Sequence, residues 1–393
     1  MSASGAPGDP RPLVAMVLPG GEGFSPAVVG AIGLIVHRLA GIAGSFRSVV
    51  LGQAGPAAPF ADRAFVPVQA WPLPRLGARA RYPGAVLRAL RRLRPALVEV
   101  HNRPVIALML AARLPETKVV LVLHNDPQSM RNAHTAAERS RLLHRLAGVI
   151  AVSEWVRGRL LDGVAGSSPI PVDVLPNCID LSALPPGLPA AAREKVILFA
   201  GRTIVEKGAD LFVHACAEAL PALPGWRAVM LGARGHNPVD DAIGYAAAGP
   251  TPAQAGVQML GYQPHPAVLE WMGRAAIVLM PSRWEEPFGL AALEALAMGA
   301  ALICSRRGGL AEVAGEAAVY VDPDDPAGIV QALLALARDP ARRAALAAAG
   351  QARSAGFDVA AAGQALEAIR RGVLGDPAPA RRFPRAHLNG RNA

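Results

Sequence analysis

Val196-Ile197-Leu198-Phe199-Ala200-Gly201-Arg202, followed closely by Glu206-Lys207-Gly208, is the stretch on which the fold of this chain turns. An unbroken apolar run that stops at a glycine reads as a short strand buried on both faces. Arg202 and Lys207 then fall in the loop at its carboxyl end, the edge at which open α/β sheets bind ligands. Arginine offers phosphate oxygens a planar fork, and lysine offers a compact point charge. Of the 40 lysine and arginine residues only Lys118, Lys195 and Lys207 are lysines. A lysine at this spot therefore departs from the background.

The pattern recurs downstream. Ala275-Ala276-Ile277-Val278-Leu279-Met280 reads as another buried strand, Pro281 to Pro287 as loop, and Leu290 to Met298 as a helix ending near Gly299. Pro287 biases Glu286 toward an extended conformation. Glu286 thus precedes the helix, and Glu294 sits in its second turn. The N–H groups of Phe288, Gly289 and Leu290 lie between them at the helix start, where free donors and the helix dipole favour an anion. A diphosphate there, with carboxylates on either side to accept sugar hydroxyls, makes a coherent nucleotide-sugar site. Taken singly, each residue has a structural reading: Arg202 paired with Glu206, or Glu294 bonded to backbone. In this order, on two strand-to-helix edges, they read as a site.

These motifs resemble the retaining glycosyltransferases of GT-B type, family 4. Leu175-Pro176-Asn177-Cys178-Ile179-Asp180 is similar to that family's Pro-Asn-Gly-Val-Asp segment, with Cys178 in place of the usual glycine, and Gly308-Gly309-Leu310-Ala311-Glu312 is similar to its Gly-Gly-x-x-Glu loop. The resemblance implies two Rossmann-like domains facing across a cleft, with a C-terminal helix crossing back to the N-terminal domain. It implies that Arg202 and Lys207 neutralise the donor diphosphate, Glu286 holds hydroxyls of the transferred sugar and Glu294 the ribose. It covers the C-terminal half well and the N-terminal half weakly. It further implies a UDP- or GDP-sugar donor and a glycan or glycolipid acceptor, as in bacterial capsule, exopolysaccharide or lipopolysaccharide assembly.

Length and composition agree with this plan. With 393 residues and 52% apolar content, two domains can each bury a core. Cys178, Cys216 and Cys304 form neither a metal spacing nor a disulfide framework, which suits a reducing cytoplasm. The N-terminus lacks a basic-then-apolar leader pattern. The longest apolar stretch, Val105 to Ala112, is far short of the ~20 residues of a spanning helix. A soluble or peripheral protein is expected.

The formal net charge is +10. Aromatic content is only 5% and no nucleic-acid motif accompanies the arginines, so no nucleic-acid partner is expected. Arg75, Arg79, Arg81, Arg88, Arg91, Arg92 and Arg94 instead cluster around Leu87, Leu90 and Leu93. From Pro83 onward this reads as a basic amphipathic helix. One reading is attraction to anionic headgroups on the inner face of a plasma membrane; the other is a solvated face.

In the N-terminal half, Leu13 to Leu18 reads as a first strand, Pro19-Gly20-Gly21-Glu22-Gly23 as a glycine-rich turn, and about Pro26 to Leu39 as a helix. The resemblance implies that the Gly21 and Gly23 loop approaches the donor; the alternative is a tight turn that needs small residues. Further strands read at 48–51, 96–100, 119–123, 148–152 and 172–175. Strands alternating with helices imply parallel sheets. His124 directly follows one of them, where the resemblance implies a histidine facing the donor sugar; a loop cap is the alternative. His101-Asn102-Arg103 also follows a strand end, either to contact the acceptor or with Asn102 capping a helix ahead of Pro104.

Pro185-Pro186-Gly187-Leu188-Pro189 is the best linker. The expected plan is a disordered 1–10, an N-terminal domain over 11–185, a C-terminal domain over 186–356, a crossover helix over 357–372 and a disordered 373–393. No Asp-x-Asp follows a strand, and Asp240-Asp241 and Asp324-Asp325 read as surface carboxylates. Charge on the leaving diphosphate then falls to Arg202, Lys207 and the helix start at Gly289, with no metal or other cofactor expected. A phosphorylase or epimerase on the same plan and a non-catalytic nucleotide-sugar-binding subunit are the alternatives to a transferase.

Overall fold

The computed structural model describes residues 9–69, 78–233 and 249–375. Arg75, Asp240-Asp241 and most of the two ends expected to be disordered lie outside them. Residues 373 and 374, assigned to the disordered tail from sequence, belong instead to the closing helix. Contacts divide the chain into two units, Met1–Cys178 with Val359–Ala393, and Ile179–Asp358.

In the first unit the strands are β1 (Leu13–Val17), β2 (Arg47–Gly52), β3 (Phe65–Pro67), β4 (Leu97–His101), β5 (Lys118–Leu123), β6 (Gly148–Ala151) and β7 (Val172–Val174). They form one parallel sheet in the order β3-β2-β1-β4-β5-β6-β7. Helices α1 (Ala31–Ala40), α2 (Ala78–Leu93), α3 (Pro104–Arg113), α4 (Ala136–Arg145), α5 (Glu154–Leu161) and the closing Val359–Leu374 belong to this unit. The apolar runs are continuous because helices cover both faces of such a sheet. Val14 to Leu18 and Val119 to Leu123 are accordingly buried throughout. Strand β3 was not legible from sequence. It is three residues long, only partly buried and ends at a proline, which lacks the N–H of a central strand and suits an edge.

Two helix starts differ from expectation. Helix α1 begins at Ala31 rather than Pro26, because Ser25 turns the chain: its Oγ accepts from Val28 N at 3.0 Å. The first turn of α1 is then met by Glu22, whose Oε1 accepts from Gly33 N at 2.9 Å. Helix α2 starts before Pro83 and passes through it. Tyr82 anchors that turn, buried and donating its hydroxyl to Leu18 O at 2.8 Å. Val86 and Leu90 face the core while Arg88, Arg91, Arg92 and Arg94 are exposed.

The closing helix is tied to this sheet by a buried ion pair. Arg370 Nε donates to Glu99 Oε1 at 2.7 Å and its Nη2 to Oε2 at 2.9 Å. Both side chains are nearly without solvent contact.

The second unit holds β8 (Glu194–Ala200), β9 (Arg227–Leu231), β10 (Val257–Met259), β11 (Ala275–Met280), β12 (Ala301–Ser305) and β13 (Ala318–Val321) in a parallel sheet of order β10-β9-β8-β11-β12-β13. Helices α6 (Ala209–Ala219), α7 (His265–Arg274), α8 (Leu290–Ala297), α9 (Leu310–Ala314), α10 (Pro326–Arg338) and α11 (Pro340–Ser354) pack around it; the closing helix is α12. Phe212, Leu333 and Leu336 are wholly buried in its core, each contributing about 2–3 kcal/mol by removal from water. The Pro185–Pro189 stretch read as a linker is held on this unit: Leu188 N donates to Gly273 O at 3.1 Å, and Arg193 binds Met272 O and Ala275 O at 3.0 and 2.8 Å. Among the described residues no helix is long and apolar enough to cross a membrane.

Candidate active site

The central strands β8 and β11 place the basic loop and the acidic loop side by side. Gly208 closes the first loop and Pro281 opens the second. Arg283 Nη1 and Nη2 bind Asp210 Oδ1 and Oδ2 at 2.6 and 2.9 Å, and Nη1 reaches Val205 O at 3.0 Å. The backbone N–H groups of Arg283 and Trp284 both donate to Glu206 O, at 2.9 and 2.8 Å. This clamp fixes the two loops in register.

Lys207 and Glu286 meet as a consequence. Lys207 Nζ lies 2.6 Å from Glu286 Oε1 and 2.7 Å from Oε2, and Ser282 Oγ donates to Oε1 at 3.0 Å. Glu286 is only 5% exposed, so its charge depends on these donors. Arg202 is exposed at the end of β8 and forms no pair with Glu206 among the described residues. Its side chain lines a cavity of about 230 Å³ with Ala200, Gly232, Tyr262, Gln263 and Ala291. Ala291 belongs to the first turn of α8, so the cavity and that helix start share one sheet edge.

Gly289 is the N-cap of α8, with φ of 99° and no side-chain cap bond. A Cβ there would lie 2.5 Å from Leu310 Cδ2, so both backbone angle and space call for glycine. The N-cap residue of α8 thus brings no side chain to its donor end. Phe288 is buried, edge-on to Phe357 at 5.8 Å. Glu294 is buried in the second turn and its Oε1 lies 2.7 Å from His265 Nε2. The structure thus brings Lys207, Glu286, Arg202, Gly289, Leu290 and Glu294 to one edge of the second unit. Sequence reasoning gave no role to Ser282, Arg283, Asp210 or His265; only the fold shows what they hold in place. Among the described residues, no three His, Cys, Asp or Glu side chains gather into a possible metal site.

The other predicted residues lie in the first unit. Gly21 has φ of 86°, and Gly23 passes so close to Val28 that a Cβ would sit 2.6 Å from its carbonyl oxygen. His124 follows β5, with Nε2 2.9 Å from His101 Nδ1. Asn102 does not cap α3; the N-cap is Arg103, without a side-chain bond. Asn102 instead has φ of 57° and accepts from His124 N through Oδ1 at 3.1 Å.

Burial, with the Arg370 charge adding to it, pushes His101 down to about 3. Burial and then the His101 ring hold His124 well below its usual range. A base that the folded state keeps deprotonated takes up its proton on unfolding. The associated stability is complete above the ordinary histidine value of 6.5 and is lost as pH falls from there toward 3. From pH 7.5 to 5, His101 alone should remove about 2 kcal/mol of unfolding free energy. Urea titrations at the two pH values should show a smaller difference for His101→Asn than for the unaltered protein. An equal difference in both would contradict a buried, neutral His101.

Residues 194–339 match the family model described as Glycosyl transferases group 1, and residues 39–183 match the one described as Glycosyltransferase Family 4. The chain thus carries a Glycosyltransferase Family 4 domain followed by a Glycosyl transferases group 1 domain. It is 28% identical over 253 residues to the putative glycosyltransferase YtcC of Bacillus subtilis, covering 60% of this chain and 61% of that protein. It is 34% identical over 247 residues to the D-inositol 3-phosphate glycosyltransferase of Frankia alni, covering 58% and 57%. The chain spans about half to three-fifths of the length of the curated relatives it matches, from 47% to 62%. Among solved structures, Anabaena HepE in complex with UDP and glucose shares the fold at a TM-score of 0.71, 17% identity and coverage of 92% and 100%. Sucrose-phosphate synthase from Thermosynechococcus elongatus does so at 0.71 and 18%, covering 92% and 99%. The fold is GT-B, two Rossmann-like domains built on sheets of seven and six parallel strands.

Proposed function

We propose that this chain is a retaining glycosyltransferase that moves a hexose from a UDP- or GDP-sugar to a glycan or glycolipid acceptor, in assembly of a bacterial surface polysaccharide or lipopolysaccharide. The observation that carries the reading is the edge of the second unit. There an exposed guanidinium and the first turn of α8, opened by a glycine, line one cavity, and a lysine held on a buried carboxylate stands at the end of the same central strands. Cations and N–H dipoles aimed at a leaving diphosphate stabilise the charge that develops as the bond from the sugar's anomeric carbon to phosphate oxygen breaks. The acceptor oxygen attacks the same face, forming the new bond as the leaving phosphate takes its proton. Arg202 and Lys207 meet the diphosphate, while Glu286 and Glu294 accept hydroxyl hydrogens of the sugar and ribose. Gly21, Gly23 and His124 of the first unit serve the donor sugar. The UDP found with HepE favours uridine as the base. The exposed arginines of α2 give the acceptor side a way to contact anionic headgroups.

A melting screen against UDP-, GDP- and ADP-sugars tests this reading. At a hundredfold excess over Kd, a ligand specific for the folded state adds about 2.7 kcal/mol. For a unit of this size that is a rise of roughly 5–10 °C. Arg202→Ala should abolish most of the rise. No shift with any donor would sink the proposal.

A further inference from the structure

His101 and His124 stand at the carboxyl ends of the neighbouring strands β4 and β5. Their rings lie 26° from parallel with centroids 5.2 Å apart, and His101 Nδ1 lies 2.9 Å from His124 Nε2. A hydrogen bond between two neutral imidazoles needs one N–H and one lone pair, so two tautomeric arrangements fit. The surroundings separate them. His101 is 1% exposed, and its Nε2 is buried with no hydrogen-bond partner among the described residues. Glu99, two residues earlier and on the same face of β4, carries the Arg370 guanidinium. Its positive charge disfavours a further proton on His101.

If His124 donated, His101 Nε2 would hold an N–H in a buried place without an acceptor. If His101 donates, that nitrogen is a bare lone pair. Orphaned buried N–H groups are the rarer of the two failures. We propose that His101 is a positioning residue that donates through Nδ1 to His124 Nε2 and so fixes His124 in its Nδ1–H tautomer. The bond from Asn102 Oδ1 to His124 N holds the backbone in place, so Nδ1 is the ring atom of His124 left to meet a ligand. His124 then offers that ligand a neutral donor, suited to an oxygen of a sugar, and takes no proton from it. That the receiving oxygen belongs to a donor sugar rests on the function proposed above; the tautomer does not.

The chain holds 9 histidines, and 15N labelling of their rings reads the tautomer directly in the free protein, with His124→Gln and His101→Asn giving the assignments. The expected result is a protonated Nδ1 and a lone-pair Nε2 on His124. A protonated Nε2 on His124 in the unaltered protein overturns the proposal. With a donor found by the melting screen, His101→Leu should lower kcat roughly three- to tenfold at unchanged donor KM, the worth of one neutral hydrogen bond. His101→Asn, whose amide N–H can stand in for Nδ1–H, should recover most of it. Equal losses in the two variants would overturn the positioning role. Absence of transfer by the unaltered protein would sink the proposed function and leave the spectroscopic answer standing.

Discussion

Lys207→Ala is expected to lower kcat/KM for sugar transfer by about 10²–10³-fold, the scale on which loss of one preorganised charge-stabilising donor is felt. Two effects act together. The diphosphate loses a point charge where its bond to the sugar breaks. Glu286, only 5% exposed, loses the ammonium that contacts both of its oxygens at 2.6 and 2.7 Å and keeps, among the described residues, only Ser282 Oγ at 3.0 Å. A buried carboxylate stripped of its countercharge draws in water or turns toward another donor, and either change misaligns the group assigned to the sugar hydroxyls. Lys207→Arg should recover only part of the activity, because a planar fork does not replace a compact ammonium at this distance. Nucleotide release with an identified donor is the assay. Activity of Lys207→Ala within about threefold of the unaltered protein, less than a single neutral hydrogen bond is worth, would contradict the assigned role.

The second large effect concerns stability. Arg370→Leu should destabilise the first unit by about 3–5 kcal/mol, since it leaves Glu99 as an uncompensated buried charge. The pair joins α12, near the end of the chain, to β4 in the middle of the sheet. For a unit of this size the loss lowers the melting temperature by roughly 10 °C. The double variant Glu99→Leu/Arg370→Leu should recover much of it, because apolar groups of similar volume can replace a buried ion pair at little net cost. Calorimetry distinguishes the outcomes. A melting point for Arg370→Leu within about 2 °C of the unaltered protein would contradict a stabilising role for the pair.

How much was legible in the sequence depended on what each element shows to solvent. Val119 to Leu123 and Ala275 to Met280 were legible as strands because burial on both faces leaves a run with no polar interruption. Strand β12 is equally buried, yet Ala301 to Ser305 follows the apolar end of α8 through Met298, Gly299 and Ala300. No polar turn marks the boundary, and the strand was not separated. Strands β3 and β10 carry three residues each and are only partly buried, so pairing at a sheet edge makes them strands. Helix α1 starts late because Glu22, outside the helix, supplies the carboxylate that meets its first turn.

The same division runs through the site. The sequence alone determined two α/β halves, the strand-to-loop edges that carry Arg202, Lys207, Glu286 and Glu294, and the glycine that opens α8. These follow from residue type and spacing along a single strand, loop and helix, which local chain geometry already constrains. Only the tertiary structure decided that Lys207 rests on Glu286, that Arg283 locks Asp210, that His265 meets Glu294 and that His101 meets His124. Each of those contacts joins side chains from different strand-to-helix segments, and the register of a folded sheet, invisible in the order of residues, is what brings them within hydrogen-bonding distance.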